Sequence, residues 1–219
     1  MSVSAYLRAV ALLICAAAAL FASAGSFAIL SFWLYLVILG LVFIASFVML
    51  DRGLLQERMR PGGGPIPLGL RLLNGVLLVH WIIAGIDRGH MHLSVTVSPW
   101  LQAAGLLIIA AGYALVFWAM QVNRFASSVV RIQSDRGQYV VTSGPYALIR
   151  HPTYAAGIVI VLASGIALGS WLAAAFLAAI GLPFLIYRTL TEDRVLQAQL
   201  PGYAEYAQRV RWRLAPGIW

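Results

Sequence analysis

The chain has 219 residues, of which 62% are hydrophobic and only 10% are charged, with a mean hydropathy of +0.88 and a formal net charge of +8. Globular chains carry about 25% charged residues, so this composition excludes a soluble globular domain and indicates an integral membrane protein. The basic excess consists of fifteen arginines without any lysine. In a membrane protein such an excess relates to topology and lipid headgroups, so no nucleic-acid partner is expected. The lone Cys15 excludes an intramolecular disulfide and a cysteine-based metal site, and no metal is expected.

Four apolar segments are each long enough to cross about 30 Å of hydrocarbon, which requires about 20 residues. They are residues 4–24, 27–50, 68–86 and 99–120. A further uncharged run from Tyr154 to Tyr187 is too long for one upright span. It is interrupted by Gly169-Ser170, which predicts a tight hairpin of two helices, the first of them short. The sequence therefore predicts an all-α, polytopic membrane helix bundle of about six spans.

The arginines are distributed unequally among the predicted loops. With six spans and both termini cytoplasmic, fourteen arginines fall on the cytoplasmic side and only Arg88 falls outside. This distribution follows the positive-inside rule, so both termini are predicted to be cytoplasmic. Arginine without lysine, together with abundant alanine, indicates a GC-rich bacterial genome, so the expected location is a bacterial inner membrane. The stretch Ala22 to Gly25 also resembles a signal-peptidase site. Residues 1–24 are therefore either a retained span, which we favour, or a cleaved signal.

The polar residues of interest concentrate in the second of two predicted regions. Residues 1–120 form a four-span membrane region. Residues 121–219 comprise a cytoplasmic loop, the helical hairpin 154–187 and a cytoplasmic C-terminal helical tail. Because the loop and the tail lie on the same predicted side of the membrane, their side chains can meet in one site, and residues 121–219 are the predicted catalytic region.

The sequence GPYALIRHPTY, residues 144–154, leads from a Gly-Pro turn through Arg150, His151 and a second proline directly into an apolar run. Pro145 and Pro152 each suit the first turn of a helix, which places Arg150 and His151 at the N-terminus of the next span. Unpaired N–H groups and the helix dipole favour an anion at that position. An isolated arginine would extend to the headgroups, but crowding of polar residues between two prolines favours a binding site.

The tail supplies acidic residues next to an arginine. Arg188 and Glu192 are four residues apart on a predicted helix, so they can share one face. An arginine can bind a carboxylate with two hydrogen bonds, and a glutamate can accept ribose hydroxyls or an amino group. The alternative is an exposed ion pair of little energetic value. The terminal stretch RVRWRLAP alternates basic and apolar residues and is expected to lie on an anionic leaflet.

In combination, GPYALIRHPTY, two apolar helices, RTLTED and PGYAEYAQRV resemble the isoprenylcysteine carboxyl methyltransferase family, whose relatives include phospholipid N-methyltransferases. The resemblance covers the chain from about Asn123 to the C-terminus. It implies that S-adenosylmethionine binds on the cytoplasmic side, between the loop before the hairpin and the C-terminal helix, without a Rossmann domain. It also implies a lipophilic or lipid-tethered methyl acceptor within the bilayer, and a carboxylate is one option for the accepting group.

The resemblance implies roles for individual residues. Arg188 matches the arginine assigned to substrate and catalysis, and Glu192 matches the cofactor-binding glutamate. An upstream glutamine of eukaryotic members, which contacts the cofactor, falls on Arg131. This chain departs from the family pattern at Gln138, which replaces a histidine, and at Asp193, which shortens the second acid of a Glu-Glu pair. The other positions implied to bind cofactor are Gln138, Tyr139, Val140, Val141, Gly144, Tyr146, Arg150, His151, Pro152, Thr153 and Tyr154.

Two other functions are compatible with the composition. Membrane sterol reductases share an Arg-His-Pro-like motif and bind NADPH, whose 2′-phosphate could be bound by Arg209, Arg211 and Arg213. However, six spans and 219 residues are few for that class, and the spacing of Arg188 and Glu192 favours methyl transfer.

A non-enzymatic scaffold or a transporter is the third option. Transporters place polar residues at the middle of the bilayer, and here Arg71, Asn74 and His80 approach that depth. His80, next to Trp81, is expected to be packed or hydrogen-bonded between helices.

Overall fold

The computed structural model describes residues 3–63, 68–94 and 96–219, and these residues form helices and connecting turns without any strand. The predicted all-α fold is confirmed. Within these ranges the α-helices are α1 (Val3–Ala24), α2 (Leu30–Met49), α3 (Arg52–Met59), α4 (Leu68–Ile86), α5 (Pro99–Val122), α6 (Pro152–Ala167), α7 (Trp171–Gln199) and α8 (Tyr203–Arg209).

Five segments of the described chain are long and apolar enough to cross a membrane. They are Tyr6–Ala24, Leu30–Met49, Arg71–Met91, Pro99–Val122 and Trp171–Gln199. The helix α6 is also apolar but has 16 residues, so it is about 24 Å long at 1.5 Å per residue. It packs against both α5 and α7, and it is the short first helix of the predicted hairpin.

The turn of that hairpin explains why one apolar run forms two helices. The helix α6 ends at Ala167, and Gly169 adopts a positive φ of 79°, a conformation that glycine adopts at little cost. The side chain of Ser170 then caps α7 by accepting a hydrogen bond from the backbone N–H of Ala173. The two helices of the predicted hairpin are present, and the second continues beyond Tyr187 to Gln199.

Small residues bring the helices into close contact. A Cβ atom added at Gly165 of α6 would lie 2.1 Å from the backbone nitrogen of Ala174 in α7, and one at Gly85 of α4 would lie 2.6 Å from the carbonyl oxygen of Leu20 in α1. Because lipid provides little hydrophobic drive between helices, close backbone approach and dispersion stabilise such bundles. The helix α1 packs against α4 and buries Leu20 and Phe21.

Buried polar contacts join the helices at two levels. His80 has no exposed surface, and its ring nitrogens lie 3.1 Å from the carbonyl oxygen of Ala173 and 2.9 Å from Ser164 Oγ. The predicted interhelical packing of His80 is confirmed. At the N-terminal end of α7, the buried carboxylate of Asp87 accepts hydrogen bonds from the hydroxyls of Ser94 and Ser170. Asp87 thereby fixes the end of α4 against the start of α7, and the candidate site lies toward the opposite end of α7.

Candidate active site

A cavity of about 410 Å³ lies between α4, α5, α6 and α7 and under the segment that joins α5 to α6. Its polar end is lined by Arg58, Arg188 and Glu192 among others, and its apolar part extends between the helices. Its size is within the range of small-molecule sites, about 300–1,000 Å³. The apolar part is lined by Leu73, Leu77, Ile160, Val161, Leu177 and Phe184.

The carboxylate of Asp193, which is 1% exposed, organises the protein beside this cavity. Arg150 donates to both of its oxygens, from Nε and from Nη2, at 2.9 Å each. Arg213 Nε donates at 2.9 Å and the hydroxyl of Tyr203 at 3.1 Å, while His151 Nε2 lies 3.1 Å away. A buried charge is tolerated when it is paired and fully hydrogen-bonded, and Asp193 meets that condition. We refer to these five residues as the Asp193 cluster.

The end of the chain is bound to the GPYALIRHPTY motif by its backbone. The backbone N–H groups of Arg150 and His151 donate to the carbonyl oxygens of Trp212 and Arg213 at 2.9 Å each. The Arg150 guanidinium also donates to the carbonyl oxygen of Arg211 at 2.9 Å. The backbone of this stretch is therefore bound to the protein, while the side chains of Arg211 and Trp212 are exposed, and its contact with a leaflet stays a prediction.

Arg188 and Glu192 meet through a third residue. The hydroxyl of Tyr154 donates to Glu192 Oε2 at 2.5 Å and accepts from Arg188 Nη2 at 3.1 Å. The same Nη2 of Arg188 donates to the carbonyl oxygen of Ser128 at 3.0 Å. Both charged residues are half-buried and line the cavity. They share one face of α7, as predicted, but they are not the exposed ion pair of the alternative interpretation.

The structure brings most of the predicted residues to the cavity and leaves two outside its lining. Gly144 has a positive φ of 58°, and a Cβ atom there would lie 2.9 Å from Val122 Cγ2, so it forms a tight turn under α5. Pro152 is buried as the first residue of α6. The predicted residues that line the cavity are Gln138, Tyr139, Val140, Val141, Tyr146, Arg150, His151, Thr153, Tyr154, Arg188 and Glu192.

Gln138, which departs from the family pattern, and Arg131, on which the upstream glutamine falls, have structural partners in the loop or in α3. Gln138 accepts a hydrogen bond from the backbone N–H of Gln133 at 2.7 Å. Arg131 lines the cavity and donates to both oxygens of Glu57, at 2.9 and 2.8 Å, and to Asp135 at 2.8 Å. The hydrogen bonds from Arg131 lower the pKa of Glu57 to about 2. Glu57 therefore fixes α3 to the loop that covers the cavity.

Sequence analysis missed the residues that α3 contributes. Glu57 and Arg58 lie in a connector without a recognised motif. Because α3 folds back against α5, Arg58 lines the cavity and Glu57 binds Arg131 of the loop above it. Leu54 is buried against Leu50 and Met120, and Arg58, four residues later, lies on the same face of the helix. The spacing of Leu54 and Arg58 is the sequence signal that could have indicated an inward-facing arginine. Other missed residues of the cavity lining are Tyr113, Asn123, Gln133, Tyr203 and Tyr206.

Residues 100–201 match the phospholipid methyltransferase family. The match extends from α5 to the end of α7 and contains the GPYALIRHPTY motif, Tyr154, Arg188, Glu192 and Asp193. This region of the chain is similar to that family. The resemblance predicted from the motifs is confirmed, and α1 to α4, including α3 with Arg58, lie outside the matched residues.

A bacterial resistance protein also matches part of the chain. The cobalt-zinc-cadmium resistance protein CzcN of Cupriavidus metallidurans is 33% identical over 137 residues, which cover 61% of this chain and 58% of that protein. The chain therefore spans less than two thirds of that relative's length. In the part of the chain that the structure describes, no group of three or more His, Cys, Asp or Glu side chains is placed to hold a metal ion.

The ion pair between Glu57 and Arg131 predicts a pH-dependent stability. Because the folded pKa of Glu57, about 2, is below its ordinary value of 4.5, its stabilising effect is present above pH 4.5 and is lost as the pH falls toward 2. The melting temperature of Glu57→Gln in detergent should lie below that of the native protein at pH 7, and the difference should shrink between pH 5 and pH 3. Glu205→Gln, at an exposed position of α8, is the control. A difference that is constant with pH would contradict the prediction.

Proposed function

We propose that this protein is an integral membrane S-adenosylmethionine-dependent methyltransferase that acts on a lipophilic or lipid-tethered acceptor. The observation that carries the proposal is one cavity that joins a charged end, with Arg188, Tyr154 and Glu192, to an apolar part between membrane-spanning helices. The match of residues 100–201 to phospholipid methyltransferases supports methyl transfer in general.

The polar end of the cavity fits the chemical groups of S-adenosylmethionine. Within the described residues, the Glu192 side chain accepts one hydrogen bond, from Tyr154 to Oε2. Its remaining acceptor capacity can serve ribose hydroxyls or the ammonium group of the donor. Tyr139 is 57% exposed and lines the cavity, and its ring offers an apolar face for an adenine. When bound, the donor supplies a methyl group already activated by a positively charged sulfur.

For this chemistry the protein has chiefly to position the two reactants. Holding donor and acceptor at reacting distance with water excluded can contribute about 7–11 kcal/mol to lowering a barrier. Arg188 is held by Tyr154 and by the carbonyl oxygen of Ser128, so its guanidinium is oriented before an acceptor arrives. If the acceptor is a carboxylate, no general base is required, and an orienting cation such as Arg188 is sufficient.

The cavity also suggests how two unlike reactants meet. Leu73, Leu77, Val161 and Phe184 line its apolar part, on helices that face lipid elsewhere. A lipophilic acceptor would enter this part laterally from the bilayer, and the water-soluble donor would enter from the polar end. This arrangement accounts for a methyltransferase site located where α7 leaves the apolar region.

The reductase alternative receives less support from the geometry. Of the three arginines considered for an NADPH phosphate, Arg213 donates to Asp193 at 2.9 Å, and Arg209 and Arg211 are exposed. Within the described residues, none of the three lines the cavity. A group of arginines that bound the 2′-phosphate of NADPH would have to lie beside the cavity that holds this cofactor.

We further propose that the site faces the cytoplasm of a bacterial inner membrane, with both termini on that side. The support is the arginine distribution, together with the position of Arg88 and Arg188 toward opposite ends of α7. In a Cys15→Ser background, a membrane-impermeant thiol reagent applied to spheroplasts should modify His90→Cys and should leave Ser134→Cys unmodified until the cells are lysed. Both probe positions are exposed. The opposite labelling pattern would contradict this orientation.

Arg188 and Glu192 should affect different steps. Arg188→Ala should lower the methyl-transfer rate about ten- to a hundredfold with nearly unchanged donor affinity, because a charge-assisted contact to the acceptor is worth about 1.5–3 kcal/mol. Glu192→Gln should instead weaken S-adenosylmethionine binding, measured by calorimetry in detergent. Arg194→Ala, an exposed arginine of the same helix, is the matched control. If both variants showed the same small loss of stability and unchanged kinetics, the two residues would be structural.

A further inference from the structure

A second arginine enters the cavity from outside the region that matches the family. The helix α3 begins after Asp51, whose side chain accepts from the backbone N–H groups of Gly53 and Leu54. Leu54 is 1% exposed and anchors α3 against Met120 of α5. Arg58 follows one turn later on the same face, so it lines the cavity together with residues of α5 to α7.

The backbone of residues 126–128 binds the side chains of both Arg58 and Arg188. Arg58 Nη1 donates to the carbonyl oxygen of Ala126 at 3.0 Å, and Arg188 Nη2 donates to the carbonyl oxygen of Ser128 at 3.0 Å. The hydroxyl of Ser128 also donates to the carbonyl oxygen of Arg58 at 2.8 Å. These bonds fix both guanidinium groups at the same wall of the cavity.

Among the described residues, neither guanidinium forms an ion pair with a carboxylate. The ion pairs within residues 3–63, 68–94 and 96–219 involve Arg131, Arg150, His151 and Arg213 as the basic members. Burial lowers the pKa of the Arg58 guanidinium; the nearby carboxylate of Glu192 opposes this shift, and the positive charge of Arg188 adds to it. The two arginines therefore form an incompletely neutralised cationic pair.

The charge balance of the cavity identifies what this pair can bind. Glu57 is bound by Arg131 and Asp193 by Arg150 and Arg213, which leaves Glu192 opposite two cations. S-adenosylmethionine carries a sulfonium, an ammonium and a carboxylate, so its arrival adds one more positive charge. An uncompensated charge in a desolvated site is costly. An acceptor that carries a negative charge reduces this excess, whereas a cationic acceptor increases it.

We propose that Arg58 and Arg188 together bind an oxyanion of the methyl acceptor, a carboxylate or a phosphate on an amphiphilic chain, and that Arg58 thereby selects anionic acceptors. The inference rests on the proposed function. Where the oxyanion is itself the accepting carboxylate, its oxygen forms a bond to the methyl carbon as the carbon–sulfur bond breaks. The electron pair of that bond passes to sulfur, so a neutral ester and a neutral thioether result, and the reaction releases no proton.

Three amphiphiles with the same chain test the selection. Dodecanoate, dodecyl phosphate and dodecyltrimethylammonium carry equal tails, so differences in affinity report the head group. With the full chain in an uncharged detergent and saturated with S-adenosylhomocysteine, both anions should bind at least tenfold more tightly than the cation. Tighter binding of dodecanoate would assign a carboxylate, and tighter binding of dodecyl phosphate would assign a phosphate.

Substitutions in α3 distinguish a role of Arg58 in selecting the anionic head group from a role in folding. Arg58→Gln should lower the affinity for both anions at least tenfold and should leave the affinity for S-adenosylhomocysteine unchanged. Arg58→Lys, which keeps the charge, should retain preference for the anions over the cation even if Arg58→Gln does not fold. Arg60→Gln, at an exposed position two residues away, is the matched control and should bind the anions like the native protein.

Two results would overturn the inference. One is native anion affinity in Arg58→Gln, and the other is binding of dodecyltrimethylammonium to the native protein as tightly as the anions bind. A failure of the proposed function would look different, because the native protein would then not bind S-adenosylhomocysteine in calorimetry at all.

Discussion

The buried carboxylate of Asp193 is the interaction on which the candidate site depends. Its two oxygens hold Arg150 from the motif before α6, Arg213 from the end of the chain and Tyr203 from α8. Removing one partner from such a buried pair typically costs about 3–5 kcal/mol, because the remaining charge is left uncompensated. Asp193 directly follows Glu192 in α7 and lies about one turn beyond Arg188. Its hydrogen bonds therefore fix the part of α7 that lines the cavity.

Rigid packing in the rest of the bundle supports that arrangement. Asp87 fixes the other end of α7, and His80 joins α4 to α6 and α7 through hydrogen bonds inside the bundle. Close backbone contacts at Gly165 leave little room for α6 and α7 to shift relative to each other. The charged end of the cavity is therefore built on a fixed scaffold, which is what a reaction that depends on positioning requires.

Some features follow from local sequence and others do not. The helices follow from hydrophobic runs, the hairpin from Gly169-Ser170, and the helix starts from Pro145 and Pro152, because these signals act within a few residues. The spacing of Arg188 and Glu192 correctly places them on one face. Their connection through Tyr154 depends on a residue 34 positions before Arg188, and spacing along one helix cannot indicate it.

The contribution of α3 shows the same limit over a longer distance. Glu57 meets Arg131 across 74 positions, and Arg58 reaches the cavity because α3 folds back on α5. The ion pair between Glu57 and Arg131 has no short-range pattern. The spacing of Leu54 and Arg58 indicates an inward-facing arginine but not the cavity that it enters, and the family resemblance begins only after α3. The backbone bonds between the motif and residues 211–213 were likewise missed, because alternating basic and apolar side chains carry no information about backbone pairing.

The most direct test of a membrane methyltransferase with a lipophilic acceptor is transfer of a radiolabelled methyl group in native membranes. Membranes containing the protein, incubated with S-adenosylmethionine labelled in its methyl group, should place label in lipid or lipid-modified material above the level of membranes that lack the protein. Tyr154→Phe, which removes the hydroxyl shared by Arg188 and Glu192, should reduce this labelling at least tenfold. Labelling no higher than in membranes without the protein, or confined to water-soluble products, would contradict the account.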